Sequence, residues 1–153
     1  MNKRKYVFAL CLGECDTLEK MPDEAFSSGM LGIGYSVEPN EGKFYAPIDG
    51  KIENVASAKH ALSIVGDDGV EILIHIGVDT VTLNAEGFDV RVKSGQSVKR
   101  GDLIVTADLD KIRESGLPTR TAVVITNPEI VKSVEYDLST IEDLSQAVIS
   151  YSL

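Results

Sequence analysis

Two histidines, His60 and His75, are the only imidazoles in the chain. Each lies in a run of apolar residues with strand-forming character, and the two runs flank a segment from Gly66 to Gly69 that is typical of a hairpin turn. The two histidines stand at similar sequence distances from this turn, and such positions are near neighbours in an antiparallel hairpin. We therefore expect the two imidazoles to meet.

The chemistry of a converging histidine pair has three possible forms. A metal site needs a third ligand, which Asp79, Glu71 or a partner would supply. General acid–base catalysis needs one ring to donate a proton while the other accepts one. In nucleophilic catalysis one imidazole accepts a phosphoryl group, and the other donates a hydrogen bond to its oxygens. A single buried histidine is most often structural, but a pair on one apolar face is harder to explain by packing.

Short strands separated by glycines dominate the rest of the sequence and must position this pair. Alternation in the His75 strand places Glu71, Leu73 and His75 on one face and isoleucines on the other. Short strands with turns between them indicate an all-β protein, a compact antiparallel sandwich or barrel-sandwich with one or two short helical turns. The predicted helices run from a cap at Asp110 to Glu114, and over residues 140–144. The predicted strands cover residues 44–46, 51–56, 61–65, 70–76, 88–92, 103–107 and 122–126.

Length and charge limit the classes of function. The 153 residues are predicted to form a single domain, 1–153, with 43% hydrophobic and 25% charged residues. A formal charge of -9 argues against nucleic acid and anionic membranes as partners. No apolar run is long enough to span a bilayer, so no direct membrane insertion is expected. The spacing of Cys11 and Cys15 along an extended strand predicts two free thiols, which fits a cytoplasmic location.

The order of the motifs resembles that of a known family. The string Glu71-Ile-Leu-Ile-His75-x-Gly77-x-Asp79-Thr-Val is specific, and Ala46-Pro-x-Asp-Gly and Lys59-His60-Ala precede it. Together with Leu18-x2-Met21-Pro-Asp-x2-Phe and glycines throughout the chain, these strings are similar to the glucose-type enzyme IIA component of the bacterial phosphoenolpyruvate:sugar phosphotransferase system. The similarity covers nearly the whole chain.

The resemblance implies a specific function. His75 would accept a phosphoryl group on Nε2 from the histidine-containing phosphocarrier protein and pass it to a cysteine of an enzyme IIB domain, while His60 supports the phosphoryl group. The Gly77 carbonyl would fix the tautomer of His75, and no metal or other cofactor is implied. The sugar stays undetermined, because its specificity lies in the membrane component. The resemblance also implies supporting residues Gly77, Asp79, Thr80 and Val81, and a docking rim that includes Ile33, Tyr35 and Leu73.

Two departures from the family pattern bear on this site. Ile33 stands where the family usually has an acidic residue, so we expect weaker docking or a different partner. Ala58 stands where the family usually has a threonine whose hydroxyl orients the second imidazole, so we expect His60 to be held differently. These changes motivate an alternative, a regulatory binding module of the same fold with changed partners. A metallohydrolase or biotinyl carrier is disfavoured, because Gly77 replaces the second histidine of a His-x-His element and no Met-Lys-Met turn is present.

Overall fold

Antiparallel β-sheet makes up most of the computed structural model, which describes residues 3–153. Within these residues the strands are β1 (Lys5–Phe8), β2 (Gly13–Thr17), β3 (Ile33–Pro39), β4 (Lys43–Tyr45), β5 (Gly50–Val55), β6 (Ala61–Gly66), β7 (Glu71–His75), β8 (Phe88–Val90), β9 (Ser97–Val98), β10 (Leu103–Ala107), β11 (Thr121–Ile125), β12 (Lys132–Tyr136) and β13 (Ala147–Ser152). The α-helices are α1 (Glu24–Ser27) and α2 (Leu109–Glu114), and short 3₁₀ helices cover Leu18–Lys20, Thr80–Leu83 and Pro128–Ile130.

Three sheets enclose the main core. The largest has seven strands in the order β2-β3-β11-β7-β6-β5-β9, and two three-stranded sheets have the orders β4-β10-β8 and β1-β13-β12. Buried side chains from all three sheets form one apolar cluster, which includes Ile72, Phe44 and Tyr151. The expected antiparallel sandwich with few helices is therefore confirmed.

Alternation along β7 gives the large sheet two different faces. Ile72 and Ile74 are fully buried in the main core, whereas Glu71, Leu73 and His75 are half-buried on the opposite face. We call this opposite face the outer face. The neighbouring strand β11 continues the pattern, since Val123 points into the main core and Ala122 lies beside His75.

All seven strands predicted from the sequence are present, with ends that differ by no more than two residues. Strands β1, β2, β3, β9, β12 and β13 were not predicted. The Gly66–Gly69 turn is confirmed: the Gly69 amide donates to the Gly66 carbonyl at 2.9 Å. Of the two cysteines, both free, only Cys15 lies in a strand.

The helix predictions were partly wrong. The first helix exists, but its N-cap is Asp108, whose carboxylate accepts from the Lys111 amide at 3.1 Å, and Asp110 lies in the first turn. No helix forms over residues 140–144, because Ile141 exchanges two backbone hydrogen bonds with Gly13, at 2.8 and 3.2 Å. Helix α1, capped by Asp23, was not predicted.

Candidate active site

The two histidine rings meet at one end of the β6–β7 hairpin. Their centroids are 4.9 Å apart with an interplanar angle of 84°, an edge-to-face arrangement. The residue opposite His75 in the sheet is Ala61 rather than His60. His60 precedes β6, and its carbonyl accepts a hydrogen bond from the Ile76 amide at 2.8 Å. The prediction that the imidazoles converge is confirmed.

A backbone carbonyl holds the His75 ring. His75 Nδ1 lies 2.8 Å from the Gly77 oxygen, and because a carbonyl only accepts, Nδ1 carries the proton. Gly77 has φ +72°, and a Cβ there would approach Thr80 Cγ2 to 2.6 Å and the Pro118 oxygen to 2.8 Å. Glycine is therefore required by both conformation and space. This arrangement leaves Nε2 of His75 with a free lone pair.

Two hydrogen bonds from threonine hydroxyls to backbone carbonyls fix the turn after His75. The buried Thr80 hydroxyl donates to the Ile76 carbonyl at 2.6 Å, so Thr80 has a structural contact within the site. Asp79 adopts a left-handed conformation (φ 59°) at the start of the 3₁₀ helix, and the Thr82 hydroxyl donates to its carbonyl at 2.7 Å. Val81, in the same helix, is 52% exposed and available to a partner.

A second apolar cluster lies on the outer face beside His75. Its buried members are Leu18, Met21, Phe26, Val78, Ala122 and Val124, and Leu73 packs against it. Phe26 in α1 contributes a ring whose centroid is 5.0 Å from that of His75. The His75 imidazole is thereby screened from water on this side.

The surroundings lower the pKa of both histidines. For His75 burial is the main cause, and the Gly77 hydrogen bond and the carboxylates of Asp23 and Asp79 act in the opposite direction. For His60 burial again dominates, and the like charge that His75 would carry adds to it. Both rings are consequently neutral at pH 7, the form in which an imidazole is a nucleophile.

The ring of His60 is held by packing, without a hydrogen bond at Nδ1. Its Nδ1 is buried, and it has no hydrogen-bond partner among residues 3–153. Ala58, which has no hydroxyl group, supplies no hydrogen bond to this ring. Of the two imidazoles, only that of His75 is tied down by a hydrogen bond within the described part of the chain.

The predicted docking rim needs correction. Tyr35 is fully buried in the main core, so its inclusion in a docking rim was wrong. Ile33 lies at the start of β3 and has the same orientation as Tyr35, opposite to that of Leu73 and His75, because it pairs with the core residue Ile125. Ile33 therefore lies outside the second apolar cluster beside His75, and its effect on docking stays a prediction. Leu73 lies on the outer face, as expected.

Two residues of the site were missed by the sequence interpretation. Asp23 caps α1 by accepting from the Ala25 amide at 2.9 Å, and it also acts electrostatically on His75. Phe26 packs directly on the His75 ring. Both stand in the Met21-Pro-Asp-x2-Phe string, which matched the family but suggested no role, since only folding brings this distant segment to the hairpin.

The arrangement suits nucleophilic chemistry at one imidazole. Within residues 3–153 no group of three or more His, Cys, Asp or Glu side chains converges to hold a metal ion, so neither Asp79 nor Glu71 completes a metal site with the pair. The cluster beside His75 is apolar and adds no further proton donor or acceptor for general acid–base chemistry. The fold and site define a class, an antiparallel β-sandwich protein with a neutral histidine on the outer face whose Nε2 lone pair is free.

Comparison with known proteins identifies the family within this class. The sequence model of the phosphoenolpyruvate-dependent sugar phosphotransferase system, EIIA 1, matches residues 5–131. The glucose permease IIA from Mycoplasma capricolum superposes with a TM-score of 0.90 at 34% identity, covering 97% of this chain and 96% of that one. The glucose-specific EIICBA component of the phosphotransferase system of Streptococcus pneumoniae is 44% identical over 131 residues, 86% of this chain.

The chain belongs to the EIIA 1 family of the phosphoenolpyruvate-dependent sugar phosphotransferase system. It is therefore a phosphotransferase component with a phosphoryl-transfer role in sugar uptake, and the comparisons do not favour the regulatory-module alternative. The chain spans 18% of the length of the Streptococcus relative. Among residues 3–153 no helix is long and apolar enough to cross a membrane.

Proposed function

We propose that His75 is the phosphoryl acceptor of this chain. Its Nε2 takes the group from the phosphohistidine of the histidine-containing phosphocarrier protein and delivers it to a cysteine of an enzyme IIB domain. The observation that carries the proposal is the 2.8 Å contact from His75 Nδ1 to the Gly77 carbonyl, which directs the lone pair of the ring to Nε2. Both steps proceed with in-line geometry, for which positioning matters more than covalent machinery.

The two steps balance without a further reactant. In the first, the Nε2 lone pair forms a P–N bond while the P–N bond of the donor breaks and its electron pair returns to the donor imidazole. In the second, a cysteine thiolate of the IIB domain attacks phosphorus, and the electron pair of the breaking bond returns to Nε2. Because the pKa of His75 is lowered by burial, the ring is neutral before the first step and again after the second.

His60 supports the transferred group from the side. Its ring lies edge-to-face with that of His75 at 4.9 Å, and its Nδ1 is buried without a partner in the described residues. A buried N–H group without an acceptor destabilises the protein. The neutral His60 ring therefore favours a proton on Nε2 rather than on the buried Nδ1. That N–H donates to a phosphoryl oxygen when His75 is phosphorylated.

The docking surface combines exposed apolar groups with acidic ones. Val81 is 52% exposed and Leu73 half-exposed, and the carboxylates of Asp23 and Asp79 lie close enough to influence His75. This pattern suits partners that present basic residues around the reacting group, and such pairing accelerates encounter more than it tightens binding. We also propose that residues 1–153 act as a single domain in the cytoplasm, where thiols such as those of Cys11 and Cys15 stay reduced.

The decisive experiment is phosphorylation in vitro with radiolabelled phosphoenolpyruvate, enzyme I and the phosphocarrier protein. The wild-type chain should acquire acid-labile label, and adding an IIB domain should remove it. His75→Gln should acquire none, whereas His60→Gln should still be labelled at a reduced rate. Since these are the only two histidines, the pair of variants assigns the acceptor.

Two results would contradict the proposal. Label retained by His75→Gln and lost in His60→Gln would make His60 the acceptor. Absence of label on the wild-type chain, with the phosphocarrier shown to label a known IIA protein in the same tube, would exclude the transfer role of His75 altogether.

A further inference from the structure

The orientation of His60 departs from the alternation of its strand. In β6 the side chains of Leu62 and Ile64 point into the main core, while Ala61 faces the same way as its partner His75. Regular alternation would therefore turn His60 toward the core, beside Ile76. The ring is found instead against the ring of His75, at 4.9 Å.

The backbone immediately before His60 accounts for this change of direction. Lys59 has φ 63°, a left-handed conformation that residues with a Cβ rarely adopt. The Lys59 amide closes a turn by donating to the Ala56 carbonyl at 2.8 Å, and the Ala56 amide donates to the Ala61 carbonyl at 2.9 Å. The left-handed residue thus lies inside the connection between β5 and β6, where it redirects the chain just before His60.

No other described contact orients the ring by hydrogen bonding. Nδ1 of His60 has no partner within residues 3–153, so the direction of the side chain depends on its backbone and on packing. The His60 carbonyl is fixed by the Ile76 amide at 2.8 Å, which anchors the residue in register without determining the side-chain direction. Strain next to a functional residue that lacks other support is the pattern expected where a conformation is needed for function.

We propose that Lys59 is a positioning residue for His60: its left-handed backbone conformation, and not its charge, turns the imidazole from the core side to the side of His75. The activity readout of this inference rests on the proposed function, but the geometric readout does not. A residue that disfavours the left-handed conformation should let the strand return to regular alternation and withdraw the ring from His75.

The test compares substitutions that differ in backbone preference. Lys59→Asn and Lys59→Gly remove the charge and accept a left-handed conformation, and Lys59→Ala removes the charge while keeping an unbranched Cβ as in lysine. Lys59→Val opposes the left-handed conformation, because valine is β-branched. Nuclear Overhauser contacts between the ring protons of His60 and His75 should persist in the first two variants and disappear in the valine variant. The turnover rate of transfer to the IIB domain should stay within about twofold of wild type for Asn and fall roughly ten- to a hundredfold for Val, with KM unchanged.

A matched control separates local positioning from general strain. Ser133 in β12 has φ 51°, belongs to another sheet and lies outside the site. Ser133→Val should lower stability without changing the ring contact or the transfer rate. If Lys59→Val does not fold, Lys59→Thr, which is also β-branched but polar, provides the same comparison.

Specific outcomes overturn the inference. If Lys59→Asn loses the ring contact and the activity as strongly as Lys59→Val, the charge of Lys59 matters rather than its backbone. If Lys59→Val keeps both, Lys59 does not position His60. Should wild-type protein fail to accept phosphate, the proposed function fails, yet the ring contacts in the variants still decide the role of Lys59.

Discussion

Replacement of Gly77 by alanine tests the link between the backbone and the reactivity of His75. The structure indicates two separate effects. Alanine must adopt φ +72°, and its Cβ would approach Thr80 Cγ2 to 2.6 Å and the Pro118 carbonyl oxygen to 2.8 Å. Because the second contact is with backbone, the turn carrying the Gly77 carbonyl has to shift.

The size of each effect can be worked out separately. The left-handed conformation costs an alanine about 1–2 kcal/mol. Relief of the two close contacts adds about 1–3 kcal/mol, as for an overpacked interior. If the shift removes the hydrogen bond to His75 Nδ1, about 1 kcal/mol of preference for the reactive tautomer is lost, which corresponds to roughly a fivefold slower phosphorylation of Nε2. We expect about 2–5 kcal/mol of destabilisation in total, from the conformational and contact costs.

The assay needs a control that shares the conformational cost but not the contacts. Gly116 provides it, since it has φ +77° and a Cβ added there would meet no other atom within 4 Å. In urea unfolding, the free energy of unfolding of Gly116→Ala should fall only by the conformational cost. Its phosphorylation rate should equal that of the wild type. Initial phosphorylation rates are measured at urea concentrations well below the unfolding midpoint of each variant, so that unfolded protein does not affect the measured rate. A Gly77→Ala protein that is phosphorylated at the wild-type rate would refute the tautomer argument.

Further predictions concern the groups around His75. Asp23→Asn keeps an N-cap for α1 but removes a charge that raises the pKa of His75, so that pKa should fall further in an NMR titration; an unchanged value would remove Asp23 from the site. Phe26→Ala should lower the free energy of unfolding by about 3–5 kcal/mol in chemical denaturation, since it leaves a cavity in the second apolar cluster. A loss below about 1 kcal/mol would contradict that packing. In the folded protein both histidines have a pKa below the usual value near 6.5, so on acidification the unfolded chain binds protons at a higher pH than the folded one. The free energy of unfolding should therefore fall as the pH drops below about 6.5. A double His60→Gln, His75→Gln variant should show a smaller decline, and an identical decline would contradict the lowered pKa values.

The contact between the His75 ring and the Gly77 carbonyl was expected from the family resemblance and is present in the structure. His75, Gly77 and Thr80 lie within a few residues of one another, and a turn in this position brings a carbonyl back to the imidazole. Alternation in β7 was equally predictable, as the buried isoleucines at 72 and 74 show. Helix α2 was predicted from its capping and terminating residues, with an error of two residues at its N-cap.

Elements whose register depends on distant partners were not predictable in the same way. Strand β3 pairs with β11, far away in the chain, and this pairing decides that Ile33 and Tyr35 face the core. The helix predicted over 140–144 was lost to pairing of Ile141 with Gly13, a competition that a local pattern does not contain.

The sequence by itself determined the all-β class, the hairpin and the family to which its histidine motif belongs, because periodicity and motif spacing are properties of short segments. Only the tertiary structure decided which residues surround His75. It brought Asp23 and Phe26 to the ring through the packing of α1 on the outer face, and it turned His60 toward His75 through the backbone at Lys59. The contacts of Asp23 and Phe26 with His75 join segments far apart in the chain, and their geometry follows from packing rather than from local preference.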